Sequence, residues 1–97
     1  MKTFTSRTDV PSAGTRVQIS NTANRVLSIE FKAPAGNSGL VYVGESTVSA
    51  SNGYELSATN TVTYNFLEAG GSVPISTFYV DAATNGDDVC WKAILDS

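Results

Sequence analysis

The chain has 97 residues, a net charge of −3, one cysteine and no histidine, and only 15% of its residues are charged. That length argues for one domain spanning residues 1–97, and the lone Cys90 excludes an intrachain disulfide. The missing histidine removes the commonest general base, the usual Ser and Cys triads and most zinc sites.

A pI near 4.6 disfavours nucleic acid, which needs a basic face to displace phosphate counterions. The charge is uneven: residues 1–33 carry a net of +3 and residues 54–97 a net of −5. Copies of the chain could meet basic end to acidic end, or the faces could simply be solvated. Ser and Thr make 23 of the 97 residues, a composition that suits pleated sheets and their turns. No apolar run reaches the 18 residues of a membrane-spanning helix, and residues 1–9 lack the apolar core of a signal peptide. The expectation is a protein made in the cytoplasm, with no membrane partner.

Residues 2–9 alternate weakly around Phe4, and residues 1–12 predict an N-terminal arm or edge strand. Pro11-Ser12-Ala13-Gly14 is a turn. Residues 15–20 alternate, with Val17 and Ile19 on one side and Arg16 and Gln18 on the other. Residues 26–33 give the clearest strand, placing Leu27, Ile29, Phe31 and Ala33 opposite Ser28, Glu30 and Lys32. Residues 40–43 are apolar on both faces, which predicts a central or subunit-covered strand. Residues 45–53 form a long polar connection, expected to touch a neighbouring protein.

Residues 54–56 predict a short strand and residues 61–66 another, with Val62, Tyr64 and Phe66 on one face. Glu68-Ala69-Gly70-Gly71-Ser72 reads as a loop, and Pro74 restricts pairing. The last two strands, 77–81 and 89–95, flank an Asn85-Gly86 hairpin cue of the type I′ kind. Phe78 and Val80 share a face. So do Val89, Trp91, Ala93 and Leu95, with Cys90, Lys92 and Ile94 on the reverse. No helical periodicity appears anywhere. About seven short strands predict an all-β domain, an antiparallel β-sandwich or small barrel.

The acidic residues between Asp81 and Asp88 invite a calcium reading, but the Asp-x-Asp-x-Asp-Gly spacing and the distant bidentate Glu are absent. Cys90 is a small mid-strand hydrophobe with no partner base. The glycines lack the Lys-Ser/Thr ending of a phosphate cradle. No catalytic residue, metal ligand or cofactor emerges. Most aromatic residues lie on apolar faces, and Tyr79, opposite Phe78, is the best candidate for an exposed contact.

Two stretches carry a resemblance. Gly39-Leu40-Val41-Tyr42-Val43-Gly44-Glu45-Ser46-Thr47-Val48-Ser49-Ala50-Ser51-Asn52-Gly53-Tyr54-Glu55-Leu56 resembles a segment of small virion proteins of tailed bacteriophages. Tyr79-Val80-Asp81-Ala82-Ala83-Thr84-Asn85-Gly86-Asp87-Asp88-Val89 is similar to a later stretch of the same proteins, and Gly14-Thr15-Arg16-Val17-Gln18-Ile19 fits an early strand. The resemblance implies a β domain of the phage particle, a capsid decoration or cement protein. Its implied partners are the major capsid protein and copies of itself, often as homotrimers, with no enzymatic activity. A tail or neck component, or a host-adhesion module, is the alternative. Lys2, Arg7 and Arg16 are the expected polar contacts with the shell, beside Tyr79.

Overall fold

The computed structural model describes residues 2–66 and 70–96, and over these the chain is all β, with one 3₁₀ turn at Ile75–Thr77. Nine strands follow in order: β1 (Lys2–Asp9), β2 (Val17–Gln18), β3 (Arg25–Lys32), β4 (Val41–Gly44), β5 (Tyr54–Leu56), β6 (Thr61–Asn65), β7 (Val73–Pro74), β8 (Tyr79–Ala82) and β9 (Asp88–Asp96). They build two antiparallel sheets. The larger runs β1-β9-β3-β6, with β7 also paired to β3, and the smaller runs β2-β8-β4-β5. The sheets are separate and pack face to face, so the domain is a sandwich and not a barrel.

Period-two alternation explains the interior. Val89, Trp91, Ala93 and Leu95 point inward from β9, Val41 and Val43 from β4, and Val80 and Ala82 from β8. Phe31, Phe78, Tyr64 and Phe66 form a ring cluster at one side, with centroids 5.6–6.4 Å apart. Offset and tilted rings of this kind add about 0.5–1.5 kcal/mol per pair beyond their burial. Trp91 satisfies its indole N–H by donating to Thr8 Oγ1 at 3.1 Å.

Several sequence expectations change here. In β3, Val26 is fully buried and Leu27 only half so, because the register against β9 slips between Val26 and Ser28. This bulge puts one extra residue into β3, so Val26 takes the inward position expected of Leu27. Residues 15–20 keep only the two-residue β2, although Ile19 is buried. Residues 75–77 are a 3₁₀ turn, so β8 begins at Tyr79 and not at Thr77. Pro74 does enter a ladder, at the short β7 beside Arg25.

The largest correction concerns Asn85-Gly86. β8 and β9 belong to different sheets, so the turn between them is a crossover and not a hairpin. Asp87 N–H donates to Thr84 O, and Gly86 alone has positive φ, at 84°, which is the signature of a type II turn. Of the expected loop at Glu68-Ala69-Gly70-Gly71-Ser72, Glu68 and Ala69 lie outside the described residues, and residues 70–72 belong to no strand.

The apolar stretch at residues 40–43 becomes β4, held between β8 and β5. Its outer face is covered from within the chain. Residues 45–53 fold back so that Val48, 1% exposed, packs over Tyr42. Gly53 makes this possible, since a Cβ there would lie 2.7 Å from Val48 Cγ2 and 3.1 Å from Tyr42 Cβ. The long connection therefore meets its own sheet through Val48, while Glu45, Ser46, Thr47 and residues 50–53 stay exposed.

Candidate functional surface

The acidic residues between Asp81 and Asp88 form a structural hub. Asp81 Oδ1 accepts from Gly14 N–H at 3.0 Å and from Ala82 N–H at 2.8 Å. The Asp87 carboxylate, 6% exposed, accepts from Ser38 and Gly39 N–H at 3.0 and 2.9 Å. Asn37 exchanges two hydrogen bonds with the Asp88 backbone, and Asn85 Oδ1 accepts from Ala13 N–H at 2.7 Å. Two loops are thus tied to one crossover, and the buried carboxylates are spent on backbone donors. Among the described residues no group of three or more His, Cys, Asp or Glu side chains is placed to hold a metal ion.

The four expected contact residues are not brought together. Lys2 and Arg7 sit on β1, an edge strand paired along its whole length with β9. Their separation by five positions places them on opposite faces. Arg7 Nη1 lies 3.3 Å from Asp88 Oδ2, and the Cys90 thiol beside it, followed by Asp88, holds the guanidinium still more firmly protonated. Arg16 is exposed in the loop before β2. Tyr79 is half-buried on the outer face of the smaller sheet, between Gln18 and Gly44.

The outer face of the larger sheet is exposed or half-buried along four strands. Its side chains come from alternate positions: Thr3, Thr5 and Arg7 on β1, Cys90, Lys92 and Ile94 on β9, Ser28, Glu30 and Lys32 on β3, and Thr61 and Thr63 on β6. Two shallow grooves cross it. One runs between Thr5, Lys32, Cys90 and Lys92, the other between Thr3, Ser28, Thr63 and Ile94, and Glu30 borders both. Thr63 Oγ1 donates to Glu30 Oε2 at 3.4 Å. This face carries hydroxyls, short apolar stems and both signs of charge, with no enclosed cleft. It was visible in the sequence as polar alternation, but nothing there said that three further strands would align with β3.

A third groove lies at the aromatic side, lined by Glu45, Tyr64, Phe66, Val73 and Phe78. Burial, then the neighbouring Glu45 carboxylate and Tyr54, push the Tyr64 phenol up from its ordinary value. It stays a neutral hydroxyl throughout the physiological range.

No protein-family model matches the chain, and a search of curated proteins finds no match. Among solved structures, the chain is similar to one described as IMPa from Pseudomonas aeruginosa in complex with an O-glycopeptide, with a TM-score of 0.56 and 15% identity. The likeness covers 97% of this chain and 12% of that one. At that identity it shows the sandwich fold alone.

Proposed function

We propose that this chain is a structural protein of a tailed-bacteriophage particle, a capsid decoration or cement protein. It binds the outer shell, bridges capsomers by contact area and performs no chemistry. Its partners are the major capsid protein and further copies of itself, and its place is the exterior of the virion after synthesis in the host cytoplasm.

The observation that carries this reading is the pairing of the two stretches that resemble phage virion proteins. Residues 41–44 and 79–82 are adjacent strands, β4 and β8, in register from Val41↔Ala82 to Gly44↔Tyr79. The resemblance therefore covers one contiguous unit: a strand pair, its Val48 cap and the Asp87 crossover. The uncovered face of the larger sheet supports a docking role, since a flat, mixed-charge surface fits another protein better than it encloses a small molecule.

A glycan-binding adhesion module is the second reading, favoured by the aromatic groove at Tyr64, Phe66 and Phe78. Immunogold labelling of virions separates the two. Label over the shell, with particles lacking the chain rupturing at lower temperature, supports the first. Label on the tail with unchanged shell stability overturns it.

A further inference from the structure

We infer that β1 is a self-pairing edge, through which two copies of this chain join antiparallel about a two-fold axis into one continuous sheet. The inference does not depend on the particle reading.

Sheet edges invite foreign strands, and proteins blunt them with short strands, Pro, bulges or covering loops. Here β2 and β5 have two and three residues, and the far edge of the larger sheet is split between β6, of five residues, and the two-residue, Pro74-bearing β7. β1 has eight residues, no Pro, no Gly and an unbroken register against β9. Its charges stand toward the ends, leaving Thr3-Phe4-Thr5-Ser6 uncharged.

The backbone direction follows from its neighbours. Val10 N–H donates to Asp87 O and Val10 O accepts from Gly86 N–H, so Val10 faces β9. Alternation then turns Lys2, Phe4, Ser6 and Thr8 toward β9. Thr3, Thr5, Arg7 and Asp9 are left with N–H and C=O pointing outward. A two-fold axis perpendicular to the sheet keeps both outer faces on one side, so only residues of the same face can oppose one another. With the axis at Thr5, Thr5 meets its own copy and Thr3 meets Arg7, closing about six backbone hydrogen bonds. Lys2 faces Thr8 and Phe4 faces Ser6, so no like charges stand opposite.

Phe4 argues for a second copy as the occupant. It is 51% exposed and already stacks on Trp91, with centroids 5.6 Å apart and planes at 22°. In this register the two Phe4 rings become diagonal neighbours flanking the axis, within reach of aromatic side chains. The stack extends from Trp91 through both Phe4 rings to the second Trp91. No other partner strand is guaranteed to present an aromatic ring at that position.

Sedimentation equilibrium of the full chain tests this. The expected mass is twice 10.2 kDa at high micromolar concentration. Thr5→Pro removes an outward N–H while leaving the even-numbered bonds to β9 intact, so it should stay folded and weaken the pair at least about tenfold. In a Cys90→Ser background, Thr5→Cys should cross-link to its own copy under mild oxidation and Thr3→Cys should not. A monomeric wild type, a trimer or open multimer, a folded Thr5→Pro that still pairs, or cross-linking through Thr3→Cys overturns the inference. Should Thr5→Pro fail to fold, the cysteine pair decides.

Discussion

At the scale of single residues, two carboxylates have opposite effects. Asp87 is buried and accepts two backbone N–H groups from the 34–39 turn. Asp87→Ala strands both donors, so unfolding in urea should show a loss of about 2–4 kcal/mol, with Asp87→Asn losing less. Asp9 stands directly opposite Asp88 across the β1–β9 ladder. Loss of water, then a shared hydrogen bond and the charge of Asp88, push its carboxyl up from the ordinary value. A carboxyl raised on folding favours the folded state when protonated, so its penalty is present above the folded pKa and disappears as pH falls through it. Asp9→Asn should therefore raise the melting temperature at neutral pH. The gain should shrink to nothing by about pH 3, where the native carboxyl is protonated in both states. A gain independent of pH would place the effect outside this pair.

At the scale of elements, the connection over residues 45–53 packs on its own sheet. It caps β4 through Val48, and Gly53 is the close approach that lets it seat. Gly53→Ala should cost about 1–3 kcal/mol by overpacking, because its Cβ meets Val48 Cγ2 and Tyr42 Cβ. Adding Val48→Ala should return part of that loss, a coupling that thermal melts of the double cycle measure. Strand placement was legible because period two is strong in β3, β6 and β9, whose inward residues were named correctly apart from the first turn of β3. That exception, Leu27, reflects a bulge, and a bulge leaves no mark in alternation until the partner strand is known. The Asn85-Gly86 pair marked a turn correctly. Which strands a turn joins depends on non-local pairing, and β8 found β2 and β4 as partners. The hub was hidden for the same reason: the partners of Asp81 and Asp87 come from the loops at residues 11–14 and 34–39, distant in sequence.

At the scale of the whole molecule, the radius of gyration is 12.6 Å, close to the roughly 12.5 Å of one compact domain of this length. The charge split along the sequence does not become a basic face and an acidic face. β1, β3 and β9 interleave Arg7, Lys32 and Lys92 with Glu30 and Asp88 on the same surface. What distinguishes the two outer faces is cover: the smaller sheet carries the Val48 cap, and the larger sheet is open across four strands. The open face is the proposed docking surface for the shell. It is tested by adding the purified chain back to shells assembled without it and measuring retention. The Thr63→Arg, Lys92→Glu double variant alters only exposed positions on the open face, and should bind at least about tenfold more weakly than the native chain. Glu55→Lys, on the capped sheet, should bind normally. Unchanged binding by the double variant would contradict docking through this face.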